Sequence, residues 1–139
     1  MFRGSKGHTI RSWNCCILLA FCCSATAADL TNFVDFSLTN PAGGAYLLPG
    51  RLYIPPEASS GPRRPLILYL SGASGEGTNN IAQVNVNIDN LLAEAKSRGV
   101  FLYAPQYLFD RDGKTTSDRT MLMIDRAIAN YPVTPAAST

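Results

Sequence analysis

The sequence predicts an α/β fold, and three stretches carry that expectation. Leu66–Leu70 and Val100–Ala104 are short apolar runs bounded by turn residues, the pattern of buried parallel strands. Between them, Ile88 to Arg98 places Ile88, Leu91, Leu92 and Ala95 on one helical face. Strand, helix and strand in that order form a crossover unit, which is parallel and right-handed in nearly all cases. The first strand runs into a loop that holds Gly72, Gly75 and Gly77. Such a loop lies at the carboxyl edge of the sheet, where open α/β folds place their chemistry. Its three glycines are expected to take positive φ and to bring the backbone close to a ligand.

Residues 1–27 stand apart. Arg3, Lys6, His8 and Arg11 form a basic head, and Cys15 to Cys23 is a nine-residue apolar run. Ser24-Ala25-Thr26-Ala27 then offers small residues in A-x-A spacing. This is the layout of a secretory signal peptide, with cleavage expected after Ala27. The apolar run is too short for a bilayer, which takes about 20 residues. Two other readings exist: acylation of Cys22 or Cys23 as a lipoprotein, and an N-terminal helix that is buried or membrane-anchoring. Bulky Phe21 and sulfur-bearing Cys22 precede the two cysteines and argue against the first.

The expected mature part, residues 28–139, has 112 residues, one small domain at most. All four cysteines and the single histidine lie in the leader, so disulfide and zinc-cluster readings fall away. Three of the 12 basic residues go with it, leaving nine against ten acidic ones. The whole-chain charge of +2 is thus a property of the leader. No basic footprint for nucleic acid remains, and no stable membrane span is expected after cleavage. No cofactor motif is found.

Along the mature chain, Asp29–Thr39 alternates imperfectly and suggests an edge strand. Asn40-Pro41-Ala42-Gly43-Gly44 is a turn. Ala45–Ile54 resumes extended structure with a bend at Pro49-Gly50, and the proline argues against a central strand. The two stretches are expected to pair as an antiparallel ribbon. Pro55–Pro65 reads as a solvated connector, with Arg63 and Arg64 as a charged turn rather than an anion site. Asn79–Asn87 reads as an ordered polar loop. Asn87 is the expected cap of the helix over 88–98, and Gly99 its stop. Gln106–Ser117 reads as a long loop. Asp110-Arg111-Asp112-Gly113 starts like a calcium loop but lacks the later carboxylates, so it is read as a turn. Ser117 or Asp118 is expected to cap a last helix through Asn130, with Met121, Met123 and Ile124 packed on the sheet. Tyr131–Pro135 turns the chain.

Two chemistries fit a glycine loop after a strand. A Walker A loop needs G-x-x-x-x-G-K-[ST], whose lysine reaches the phosphates. Gly72 and Gly77 have that spacing, but Thr78 follows directly, the lysine is missing and Glu76 adds negative charge. The other chemistry is acyl transfer, which needs N–H groups aimed at a developing alkoxide. Pro65-Leu66-Ile67-Leu68-Tyr69-Leu70-Ser71-Gly72-Ala73-Ser74-Gly75-Glu76-Gly77 resembles the P-L-h-h-h-L-H-G-A-G-E-x-G signature of secreted esterases of the polyhydroxybutyrate-depolymerase and feruloyl-esterase type. Gly50–Pro55, Leu102–Gln106 and Ile124–Pro135 are similar to flanking segments of that family, in the same order. The resemblance covers about residues 46–135.

The resemblance implies a partial α/β-hydrolase sheet: an N-terminal β-ribbon, then strand, helix, strand and helix. It implies that the chain stops before the nucleophile strand, so that 28–139 is the N-terminal part of an α/β-hydrolase domain. The backbone N–H of Ala73 or Ser74 becomes the implied oxyanion donor, with Ser71, Gly72 and Glu76 in support. The implied substrate of the whole domain is a small-molecule or polymeric ester. Departures limit the expectation. Ser71 stands where the family has histidine, no G-x-S-x-G occurs, and no histidine follows His8. A Ser-His-Asp triad cannot be assembled from these residues, and the chain alone is expected to be inactive. The alternative from another class is a non-catalytic secreted remnant or binding module; a plain tight turn at Gly72–Gly77 would suit it.

Overall fold

The computed structural model describes residues 29–84, 88–108 and 113–135. Strands β1 (Val34–Asp35), β4 (Gly50–Tyr53), β5 (Leu66–Leu68) and β6 (Phe101–Pro105) form one sheet in the order β1-β4-β6-β5. Strands β2 (Leu38–Thr39) and β3 (Tyr46–Leu48) form a separate two-stranded ribbon. Helix α1 spans Ile88–Arg98 and α2 spans Gly113–Asn130. β1 pairs antiparallel with β4, β4 antiparallel with β6, and β5 parallel with β6. The N-terminal antiparallel pairing and the parallel crossover therefore both stand, although the first stretch is split into β1 and β2. Among the described residues, no helix is long and apolar enough to cross a membrane.

β6 is the spine of the sheet. All five of its residues are buried. Because side chains alternate along a strand, it feeds two cores. Phe101 and Tyr103 join Leu52, Met123, Ala127 and Val133 on the α2 side. Leu102 and Ala104 join Tyr53, Ile88, Leu92 and Ala95 on the α1 side. The helices thus cover opposite faces, the layered arrangement of an α/β fold.

The face of α1 is the predicted one, with Ile88, Leu92 and Ala95 buried and Leu91 packed at its margin. Gly99 ends it at φ +60. Its N–H donates to the Lys96 carbonyl and the Val100 N–H to the Ala95 carbonyl, the Schellman pair of bonds. Arg64 adds a donor, Nη1 to the Gly99 carbonyl at 2.9 Å. Arg63 likewise donates to the Val133 carbonyl at 3.0 Å. The expected Asn87 cap lies outside the described residues, as do Asp110–Asp112 and the leader.

Four expectations need correction. α2 begins at Gly113 rather than at Ser117 or Asp118. Ser117 Oγ bonds to the Gly113 carbonyl at 2.8 Å and Lys114 pairs with Asp118 at 2.6 Å, both at i,i+4 spacing inside the helix. The buried face of α2 is Thr120, Met123 and Ala127, whereas Met121 is 56% exposed. The phase of the helix is set by Ala127 and Met123 fitting against β6, which turns Met121 outward. β4 is an interior strand of the described sheet despite Pro49, because the proline precedes the ladder and needs no donor there. Its carbonyl accepts from the Gln106 N–H at 2.8 Å. Finally, the expected buried strand Leu66–Leu70 is shorter and not fully buried: β5 ends at Leu68, which is 37% exposed, and Leu70 beyond it is 53% exposed.

The exposure of β5 follows from its place in the sheet. Pro65 O and Tyr69 N bond to β6, so the main-chain groups of Leu66, Leu68 and Leu70 face the other way. Among the described residues that edge is joined at one end. Arg64 and Val133 form a parallel bridge, with Arg64 N–H donating to Pro132 O at 2.7 Å and Thr134 N–H to Arg64 O at 2.8 Å.

Tyr103 supplies a test of the core. Among the described residues its buried hydroxyl has no hydrogen-bond partner. Burial, with a smaller contribution from Tyr107, pushes its pKa well above the ordinary value of 10.0. The folded state holds this proton more tightly than the unfolded state. Stability is therefore intact below about pH 10 and falls as pH rises above it. Urea denaturation should show a shallower alkaline loss for Tyr103→Phe than for the parent. Near neutrality the variant should be at least as stable, because an unpaired buried hydroxyl is gone.

Candidate functional site

The carboxyl end of β5 leads into the loop Ser71–Thr78. Within it, Ala73–Gly75 forms one 3-10 turn, closed by Gly75 N–H to Gly72 O at 2.8 Å and Glu76 N–H to Ala73 O at 3.2 Å. The first N–H groups of any such turn have no partner inside it. Here they belong to Ala73 and Ser74. Among the described residues neither donates a hydrogen bond, and both residues are exposed. Two adjacent main-chain donors thus face solvent at the sheet edge. Glu76 is half-buried, and among the described residues its carboxylate makes no hydrogen bond or ion pair.

The glycines act differently from one another. Only Gly77, at φ +142, needs the freedom of glycine. Gly72 has φ −71, and a Cβ there would meet open space. Gly75 is buried for lack of room: a Cβ would lie 2.2 Å from Ser71 Oγ and 3.1 Å from the Gln83 Cα. The expectation of positive φ at all three is corrected to one. Ser71 is packed against Gly75, and among the described residues its buried hydroxyl has no hydrogen-bond partner.

Beneath the loop lies a buried polar cluster that was legible in the sequence only as a polar connector. Asn80, Gln83 and Gln106 are all essentially inaccessible. Gln106 Nε2 donates to Gly75 O at 3.2 Å and to Asn79 Oδ1 at 2.9 Å, and its Oε1 accepts from Asn80 N–H at 2.6 Å. Asn80 Nδ2 donates to Ser37 Oγ at 3.1 Å and Gly50 O at 3.2 Å, and its Oδ1 accepts from Gln83 Nε2 at 2.7 Å. Arg51 Nε reaches Asn80 O at 2.9 Å. Asn80 holds φ +55, a left-handed conformation that asparagine tolerates. Gly77 N–H donates to Tyr107 O at 2.9 Å. The loop and the Asn79-Asn80 segment that follows it are therefore tied to Ser37, to the start of β4 and to the end of β6 by main-chain and side-chain bonds. Its tip residues, Gly72 to Ser74, are exposed and contribute no core packing. The available signal was Asn79-Asn80 and Gln83 interleaved with Ile81 and Val84, a half-buried composition, and Gln106 directly after a fully apolar strand.

The geometry differs from a phosphate loop. No helix of two turns or more follows the glycines directly, since α1 starts at Ile88. A phosphate loop needs such a helix N-terminus to complete its donor set.

The described residues have an α/β fold, a mixed sheet with helices on both faces and a glycine loop at the carboxyl end of a parallel strand. A solved thermostable esterase shares it, with a TM-score of 0.59 and 21% identity over 76% of this chain and 32% of the esterase. The likeness carries the fold, and the chain spans 32% of the esterase's length. No protein-family model matches the sequence, and no curated protein matches it.

Gly75→Ala should destabilise the chain by about 1–3 kcal/mol, the usual range for forcing atoms into a packed site. Ser71→Gly in the same chain should restore part of that loss, since it removes the atoms at 2.2 and 2.5 Å. Thermal unfolding of the two variants checks this.

Proposed function

We propose that residues 28–139 are the N-terminal part of an exported carboxylic-ester hydrolase, and that they supply its oxyanion loop. The observation that carries this is the pair of unengaged N–H groups on Ala73 and Ser74, at the carboxyl end of a parallel strand. Donors of this kind, fixed before reaction, lower the barrier because charge develops onto them in the transition state. The fold shared with an esterase supports the reading, as does the motif resemblance to secreted depolymerases and feruloyl esterases. Ser71 and Glu76 are the supporting residues of the loop. The family reaction forms an acyl-enzyme on a serine and hydrolyses it with a histidine base. Residues 28–139 hold neither a G-x-S-x-G serine nor any histidine.

The open edge of β5 supports the same reading. Its outward main-chain groups match the demand of one more parallel strand, and the Arg64–Val133 bridge already supplies the first rung. A nucleophile strand placed there would end beside the loop.

The purified 139-residue chain should not turn over p-nitrophenyl esters above blank; turnover abolished by Ser74→Ala would sink the proposal. Extending the reading frame past Thr139 should reveal G-x-S-x-G, then Asp and His. In that longer chain Ala73→Pro should lower kcat by about 10²–10³, the usual loss for one oxyanion donor. Gly72 is already extended, as a residue before proline must be. A stop codon after Thr139 would instead favour the non-catalytic remnant, the reading that the missing serine motif and histidine support.

Residues 1–27 are proposed to direct export and to be removed. Sequencing of the exported protein should give Ala28 as its N-terminus; an intact Met1 would refute this.

A further inference from the structure

We propose that Gln106 is the positioning residue of the glycine loop, acting through the Gly75 carbonyl to fix where the Ala73 and Ser74 N–H groups point. The inference rests on the oxyanion reading of those groups, and its test is separate from it. Gln106 follows β6 directly, and its own N–H is anchored on Pro49 O at 2.8 Å. Its fully buried side chain then turns to the loop. Both amide hydrogens and the amide oxygen are used: Nε2 to Gly75 O at 3.2 Å and to Asn79 Oδ1 at 2.9 Å, Oε1 from Asn80 N–H at 2.6 Å. The bonded residues lie on both sides of Thr78. One side chain therefore holds the loop at its turn and at its exit.

Gly75 is the last residue of the 3-10 turn whose first N–H groups are the free ones. A rigid turn of three residues transmits the anchoring of one end to the other. No apolar contact substitutes for it, because Gly72, Ala73 and Ser74 are exposed. The loop also leaves room for the amide: a Cβ on Gly77 would come within 3.2 Å of Gln106 Nε2. Only an amide of this length presents donors to Gly75 and an acceptor to Asn80 together. An ionised glutamate would set an acceptor against the Gly75 carbonyl, and methionine would fill the space with neither function.

The test uses the full 139-residue chain. Gln106→Met is compared with Gln83→Met, which breaks bonds to Asn80 and Ala104 in the same cluster but none to the loop. Amide exchange and backbone order parameters are read by NMR. Gln106→Met should speed exchange at Gly77 by roughly tenfold, the scale of one lost hydrogen bond. It should also drop the order parameters of Ala73 and Ser74 below about 0.6, with the amides of β6 unchanged. Gln83→Met should leave the loop as it is. Loosening of loop and β6 together, to the same extent in both variants, would overturn the inference. Should Gln106→Met not fold, the parent chain decides: the Gln106 side-chain amide hydrogens should exchange slowly, and rapid exchange overturns it. No ester is present, so failure of the oxyanion reading cannot produce or hide either result.

Discussion

Burial of β6 on both faces is the constraint from which the rest of the structure follows. A strand whose every residue is enclosed needs a neighbour at each edge and a layer on each side. β4 and β5 meet the first demand, and α1 and α2 the second. Each large apolar side chain so enclosed contributes about 1.5–3 kcal/mol relative to exposure. That gain makes the end of β6 the most firmly fixed point near the sheet edge. The loop after β5 has no such core of its own. It takes its position from β6 through Gln106 and Tyr107.

The transfer is made by polar groups, which is why it is specific. A buried amide left unpaired costs free energy, so its partners must be in place for the fold to be stable. Gln106 and Asn80 satisfy nearly all their bonding capacity on the loop, on Ser37 and Gly50, on Gln83 and on each other. The exceptions nearby are the Gln83 Oε1 and Ser71 Oγ atoms, which are buried without partners. Ser71 packs against Gly75, where a Cβ would find no room.

The strand–helix–strand unit was legible because periodicity reports it directly. Ile88, Leu92 and Ala95 could share a face only on a helix, and Gly99 could end it only in a left-handed conformation. Elsewhere local chemistry misled. Gly113, Thr115 and Thr116 are weak helix formers, so the first turn of α2 read as loop; its i,i+4 bonds override that propensity. Pro49 argued for an edge, yet the strand begins one residue later. The exposure of Leu68 and Leu70 depends on strand order, which no short stretch encodes. The amide cluster was hidden for a different reason. Asn and Gln signal loops by composition, and only the path of the chain shows which of them turn inward. Of the candidate site, the glycine loop was readable as a loop that follows a strand, whereas the tight packing at Gly75 and the bonds from Gln106 to Gly75, Asn79 and Asn80 were not.

The bridge between Arg64 and Val133 bears on the register of any strand that pairs with the outer edge of β5. Adjacent side chains on a strand face opposite ways, so a slip of one residue exchanges inside for outside along its whole length. The two bonds at Arg64, reinforced by the Arg63 guanidinium on Val133 O, fix the polarity and phase of the chain at Val133 against the outer edge of β5. A strand that zips onto β5 from this clasp has one alignment available, and the side chains it carries to the loop are decided at the far end of β5.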